Sequence, residues 1–203
     1  RQSLRSLYTE FSDKDFKQIK KIESKTNHDV NAVVVFISEK LEKISRKDLI
    51  PLVHFGLTSE DINNTAYSLM TKGATKNIMV PAIKNVLKEL KKLARRTKSL
   101  PMLSLTHGQP ATTTTLGKEL AVFISRIERE LVLINEINLL AKFSGATGSY
   151  AAHKAAFPKA NWSVFAKKFI KRLGLGQSPI TSQVEPGDSI AELLHSYVRI
   201  NNI

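Results

Sequence analysis

The sequence predicts an all-α fold: a long antiparallel helix bundle joined to part of a smaller helical N-terminal domain. Three observations carry this. Apolar residues recur at helical spacing along most of the chain, and no segment shows the apolar-polar alternation of a half-buried strand. Proline- and glycine-rich interruptions are spaced so that two helices of about 20 residues flank one loop, which makes antiparallel rods of roughly 30 Å.

Arg1 opens polar, helix-like sequence. In "SDKDFKQIKKIESKT", Ser12 followed three residues later by Asp15 reads as a capping box, and Phe16, Ile19 and Ile22 fall on one face. A second helix follows "NHDV" and brings Val33, Val34, Phe36, Ile37, Leu41 and Ile44 toward a core. Pro51 in "RKDLIPL" breaks the pattern and reads as a domain boundary, with residues 1–50 closing an N-terminal helical domain and 51–203 forming part of a central long-helix domain.

A third helix is expected from about Thr58 to Lys76, and Pro81 suits the first turn of a fourth that reaches about Lys98. The stretch "LSLTHGQPATTTTLGKEL", Leu103 to Leu120, reads as a polar loop. The fifth helix, about Gly117 to Lys142, carries Leu120, Phe123, Ile124, Ile127, Leu131, Ile134, Ile137 and Leu140 near heptad spacing. "FSGATGSYAAHKAAFP" is a loop, a short helix runs from about Trp162 to Gly174, and "GQSPITSQVEPGD" leads into a last helix that ends in "SYVRINNI" without a cap. Both ends read as cut.

With 42% hydrophobic and 24% charged residues, the chain can build a real core. It has no cysteine, which excludes disulfides, zinc-thiolate sites and a thiol nucleophile and fits a reducing compartment, the cytoplasm. No leader and no run of eighteen apolar residues is present. The net charge of +13 admits nucleic acid, a membrane surface or a small anion as partner, and charge alone does not choose.

Much of that charge lies in "IKNVLKELKKLARRTK", where Lys84, Lys88, Lys91, Lys92, Arg95 and Arg96 share a helix with a stripe of Ile83, Val86, Leu87, Leu90, Leu93 and Ala94. A solvated face opposite a core face is the simpler reading than an RNA-binding helix, because stacking aromatics are absent. "SGATGS" has neither the preceding strand nor the lysine of a phosphate-cradling loop. The five histidines lack metal-ligand spacing, and no metal or other cofactor is expected.

Three loop-to-helix junctions concentrate polar groups: "TNHDV", "HFGLTSEDINNT" and the threonine-rich stretch around His107. Each sets uncharged donors near a helix N-terminus, where unpaired N–H groups favour an anion. Thr58 and Ser59 serve equally as helix caps, His28 as a cap or a partner of Asp29, and His54 as a helix-end residue. His107 stands apart because Thr106, Gly108 and Gln109 surround it with a turn, a hydroxyl and an amide.

Taken together, "TNHDV", "FGLTSEDINNTAYSLM", "THGQPATTTTLGKEL", "SGATGSYAAH" and "TSQVEPGD" resemble, in order and spacing, the adenylosuccinate lyases of the fumarase/aspartase superfamily. The resemblance covers essentially the whole chain. It implies a lyase of purine biosynthesis that releases fumarate by β-elimination, from adenylosuccinate to give AMP and from succinyl-aminoimidazole carboxamide ribotide. Argininosuccinate lyase shares that fold and chemistry, and "TSEDINN" and "NHD" favour the purine enzyme.

By position, His107 matches the family's general acid. Substrate contacts fall on Asn27, His28, Asp29, Thr58, Ser59, Thr106 and Gln183, with His54 as a phosphate or supporting contact. A family member is also a homotetramer whose sites combine segments of three subunits. Its Ser-Ser-x-Met-Pro-x-Lys-x-Asn loop, which supplies the basic serine, does not occur in these 203 residues. The expectation is therefore that these residues alone hold a partial site and do not turn over substrate.

Overall fold

The structure, a computed structural model, describes residues 2–203; Arg1 lies outside the described residues. In chain order the elements are α1 (Gln2–Thr9), α2 (Asp13–Thr26), α3 (Asp29–Lys43), a 3-10 segment (Lys47–Leu52), α4 (Ser59–Ala74), a π-helical turn (Thr75–Met79) and α5 (Val80–Arg96). There follow β1 (Pro101–Thr106), β2 (Gln109–Thr115), α6 (Leu116–Glu136), β3 (Leu140–Ala141), α7 (Ala151–Ala156), α8 (Trp162–Arg172), β4 (Gly176–Gln177) and α9 (Asp188–Asn201). The helical class expected from periodicity is the class observed.

The chain divides into two compact units, one of residues 1–66 and 141–186, the other of 67–140 and 187–203. In the first, the capping box of α2 is present, with Ser12 and Asp15 bonded reciprocally. Lys40 then ties α3 to that same Asp15 at 2.7 Å. α2 packs on α3, whose buried residues are Val30, Ala32, Phe36 and Leu41. The expected face of α2 is not a core face: Phe16 is exposed, and no residue of α2 is buried. A cluster of Phe55, Phe143, Tyr150, His153 and Trp162 forms the aromatic part of this unit's core.

In the second unit, the helix expected to end near Lys76 instead runs on through the π turn into α5. Pro81 sits in the first turn of α5, and its missing N–H falls where the widened turn tolerates it. α5 packs on α6, and Lys91 pairs with Glu128 at 2.5 Å. Of the predicted α5 stripe only Leu87 is buried, while Val86 and Leu93 remain exposed. α6 buries Ile124, Ile127, Leu131 and Ile134 as the heptad spacing predicts, but stops at Glu136, so Ile137 and Leu140 leave the rod. A helix end at Glu136 frees Leu140, whose N–H and carbonyl bond to the hydroxyls of Ser189 and Ser68.

The expected polar loop is a β-hairpin. β1 and β2 pair antiparallel with Thr106 opposite Gln109, leaving His107 and Gly108 as a two-residue turn. Both have positive φ, 51° and 74°, the requirement of a type I′ turn. The β-branched threonines expected in a polar loop are strand residues, and periodicity missed them because both faces of so short a ribbon are largely exposed. Thr115 caps α6 by accepting from the Lys118 N–H at 3.2 Å.

Candidate active site

The junction "TNHDV" is the α2–α3 connection, and its shape follows from two caps. Asn27 ends α2 in the left-handed conformation, φ 51°, which asparagine adopts more readily than most residues. His28 begins α3 as its N-cap, with Nδ1 accepting from the Asn31 N–H at 3.3 Å. The other ring nitrogen, Nε2, lies 3.2 Å from Ser59 Oγ, within hydrogen-bonding distance. The structural reading of His28 and its proximity to a proposed contact residue thus hold together.

Asp29 lies beside His28, with Oδ1 3.2 Å from Nδ1, and accepts from Asn63 Nδ2 at 3.1 Å. Its carboxyl is held below the ordinary carboxylate range, chiefly by the Val30 N–H and further by Asn63 and His28, against partial desolvation. Asn27, His28 and Asp29 line an open depression of about 760 Å³ with Lys20, Glu23 and Ser24. The first turn of α4 therefore meets the α2–α3 connection through Ser59 and Asn63.

The start of α4 is fixed from beneath by Asp61. Its carboxylate accepts from the N–H groups of Thr58 at 2.9 Å, Ser144 at 2.9 Å and Gly145 at 3.1 Å. Lys142 Nζ sits 3.2 Å from the same carboxylate and also donates to the carbonyls of Gly145, at 3.0 Å, and Gln183, at 2.6 Å. The side chains of Asp61 and Lys142 are fully buried. Ser144 and Thr181 hydroxyls, 3.0 Å apart, add a second tie between the same two loops.

In the first unit the sequence-predicted residues Asn27, His28, Asp29 and Ser59 form one cluster, and the backbones of Thr58 and Gln183 are linked through the Asp61–Lys142 pair. His54 lies in the connection ahead of α4, half-buried. Thr106 and His107 belong to the second unit, where the type I′ turn presents His107 at an exposed hairpin tip. Asn63, Asp61 and Lys142 were not singled out from sequence. Lys142 did carry a signal: it is the one charge in "INLLAKFSG", an apolar run closed by a glycine turn.

These features belong to a known class. A family model described as a lyase matches residues 1–203, and the chain belongs to that lyase family. Among solved structures, the chain is similar to a fumarate lyase from Mesorhizobium sp. BNC1, with a TM-score of 0.80 and 23% identity over 98% of this chain and 45% of that one. It is also similar to β-carboxy-cis,cis-muconate cycloisomerase from Acinetobacter calcoaceticus sp. ADP1, at 0.77 and 24%, over 98% and 44%. Both likenesses are of fold.

Among curated relatives, it is 44% identical to an adenylosuccinate lyase of Buchnera aphidicola subsp. Acyrthosiphon pisum, over 98% of this chain and 44% of that protein. It is 43% identical to the adenylosuccinate lyase of Vibrio cholerae, over 100% and 45%, and 42% identical to that of Escherichia coli K12, over 98% and 44%. The chain spans less than half the length of the curated relatives it matches.

Proposed function

We propose that the protein bearing this chain is an adenylosuccinate lyase, releasing fumarate from adenylosuccinate to give AMP and from succinyl-aminoimidazole carboxamide ribotide in purine biosynthesis. The observation that carries this reading is the 42 to 44% identity to curated adenylosuccinate lyases across essentially the whole chain.

In this reaction a base removes the proton from the succinyl carbon next to a carboxylate, and the electron pair forms the new double bond as the C–N bond breaks. The leaving nitrogen must receive a proton. His107 supplies it, a role suited to imidazole, which holds and gives a proton near neutrality. Thr58, Ser59, Thr106, Asn27, His28, Asp29 and Gln183 contact the substrate. Hydroxyl and amide donors at the α4 N-terminus suit its carboxylates, because they stabilise negative charge developing on the carboxylate beside the deprotonated carbon without competing for the proton. His54 meets the phosphate or supports its contacts.

Segments outside these residues, and neighbouring subunits of a homotetramer, complete the site. Exposed apolar side chains on the second unit's helices support assembly. Cytoplasmic residence is consistent with a biosynthetic enzyme; among the described residues no helix is long and apolar enough to cross a membrane.

The test is a competition assay on the full-length protein: adenylosuccinate is cleaved and argininosuccinate is not, and His107→Ala lowers kcat by about 10²- to 10⁴-fold, the usual contribution of a positioned proton donor. Preferential cleavage of argininosuccinate, or an undiminished kcat in the variant, would overturn the substrate or the acid assignment respectively.

A further inference from the structure

The buried carboxylate and ammonium beneath α4 take no part in the proposed chemistry, yet they join two of the segments that do. Asp61 and Lys142 have no exposed side-chain surface, and each is saturated with partners. All three directions available to the ammonium are used: toward Asp61 at 3.2 Å, the Gly145 carbonyl at 3.0 Å and the Gln183 carbonyl at 2.6 Å. The carboxylate spans the N–H groups of Thr58, Ser144 and Gly145. Lys142 is itself anchored, its N–H donating to Asn64 Oδ1 at 2.9 Å.

Withdrawing two charges from water is expensive, and well-packed apolar residues hold a core as well or better. Stability alone therefore accounts poorly for this pair. Its partners point elsewhere: all five are backbone groups of loops, and two of those belong to Thr58 and Gln183. The pair is internally neutral, so it sets geometry without adding net charge beside an anionic ligand.

We propose that Asp61 and Lys142 are positioning residues, a buried ion pair that holds the Thr58–Ser59 turn and the Gln183 segment at the separation a dicarboxylate ligand requires. This rests on the lyase reading of Thr58, Ser59 and Gln183. Removing the ammonium releases the Gln183 carbonyl and leaves Asp61 unpaired, so both segments shift although neither contact side chain has changed.

The experiment is steady-state cleavage of adenylosuccinate by the full-length protein, comparing wild type, Lys142→Met and the double variant Asp61→Asn/Lys142→Met, with folded fraction followed by circular dichroism. Small displacements of binding groups cost large factors, so KM is expected to rise about tenfold or more in both variants, with kcat falling by a smaller factor. The double variant buries no unpaired charge and is expected to melt at or above the temperature of Lys142→Met while keeping the raised KM.

An unchanged KM, with kcat lowered only in step with the folded fraction, overturns the inference and leaves the lyase reading standing. If neither variant folds, the pair is a folding requirement and the inference also falls. If the wild type cleaves no adenylosuccinate, both the lyase reading and the inference fall.

Discussion

His153 illustrates how burial alone changes a residue's chemistry. Its ring is 1% exposed and packed by Phe55, Phe143, Tyr150 and Trp162, with the Trp162 ring centroid 4.7 Å away, and neither ring nitrogen has a hydrogen-bond partner. Loss of hydration pushes its pKa below the ordinary 6.5, and the negative charge of Asp61 opposes that shift only in part. The folded state therefore binds fewer protons here than the unfolded chain, so stability rises with pH across the interval between the two pKa values. It is fully present above about pH 6.5 and is lost as pH falls toward the depressed folded value. Urea midpoints are expected to drop between about pH 7.5 and 5.5 in the wild type, and His153→Leu to flatten that slope. An equal slope in the variant would assign the titration elsewhere. Asp15 does not interfere, because its pKa, lowered from 3.8 to about 2 chiefly by Lys40 and then Ser12, costs stability only as pH falls through that lower range. The sequence displays His153 only as a histidine in a small-residue loop. What makes it unusual is the aromatic box, assembled from residues 55, 143, 150 and 162, and no local pattern links them.

At the scale of elements, local propensity and tertiary contact part company at two glycines. Gly73 lies in α4, and a Cβ there meets nothing within 4 Å. Gly117 lies in the first turn of α6, and a Cβ there collides with backbone of the preceding helix and its end, the Ala94 carbonyl and the Lys98 Cα. Alanine is the better helix former by about 1 kcal/mol at both. Gly73→Ala is therefore expected to raise the melting temperature. Gly117→Ala is expected to lower it, at a cost of about 1 to 3 kcal/mol, because backbone cannot swing aside as a side chain can. A stabilised Gly117→Ala would show that the α5–α6 approach is looser than the structure has it. The same division explains what was legible. Capping at Ser12 and the buried face of α6 are set within one or two helical turns, and the sequence displays both. The hairpin and the continuous α4–α5 backbone were not, since strand pairing at Thr106 and Gln109 and a π turn at Thr75–Met79 depend on how flanking segments meet.

For the whole molecule, charge and apolar exposure set opposing tendencies. A net charge of +13 favours separation of copies. Against it stand Val86 on α5, Val132 on α6, Val198 on α9 and Leu105 in the hairpin, all more than half exposed. Apolar area removed from water gains about 25 cal/mol per Å², whereas charge repulsion beyond a Debye length of about 8 Å is screened at physiological salt. Association is thus expected to win. Light scattering on the 203-residue chain should give a mass that is a multiple of the monomer's, and Val86→Glu/Val132→Glu should reduce it. A monomeric wild type at high concentration would remove that support for the homotetramer. By itself the sequence determined the helical class, the caps at Ser12 and His28, the buried stripe of α6 and the family motifs, because each rests on interactions between residues a few positions apart. Only the tertiary structure decided that Asp61 and Lys142, 81 positions apart in sequence, meet as a buried pair, and that His153 loses its water. Desolvation depends on everything that surrounds a group, and those surroundings exist only once distant segments have packed.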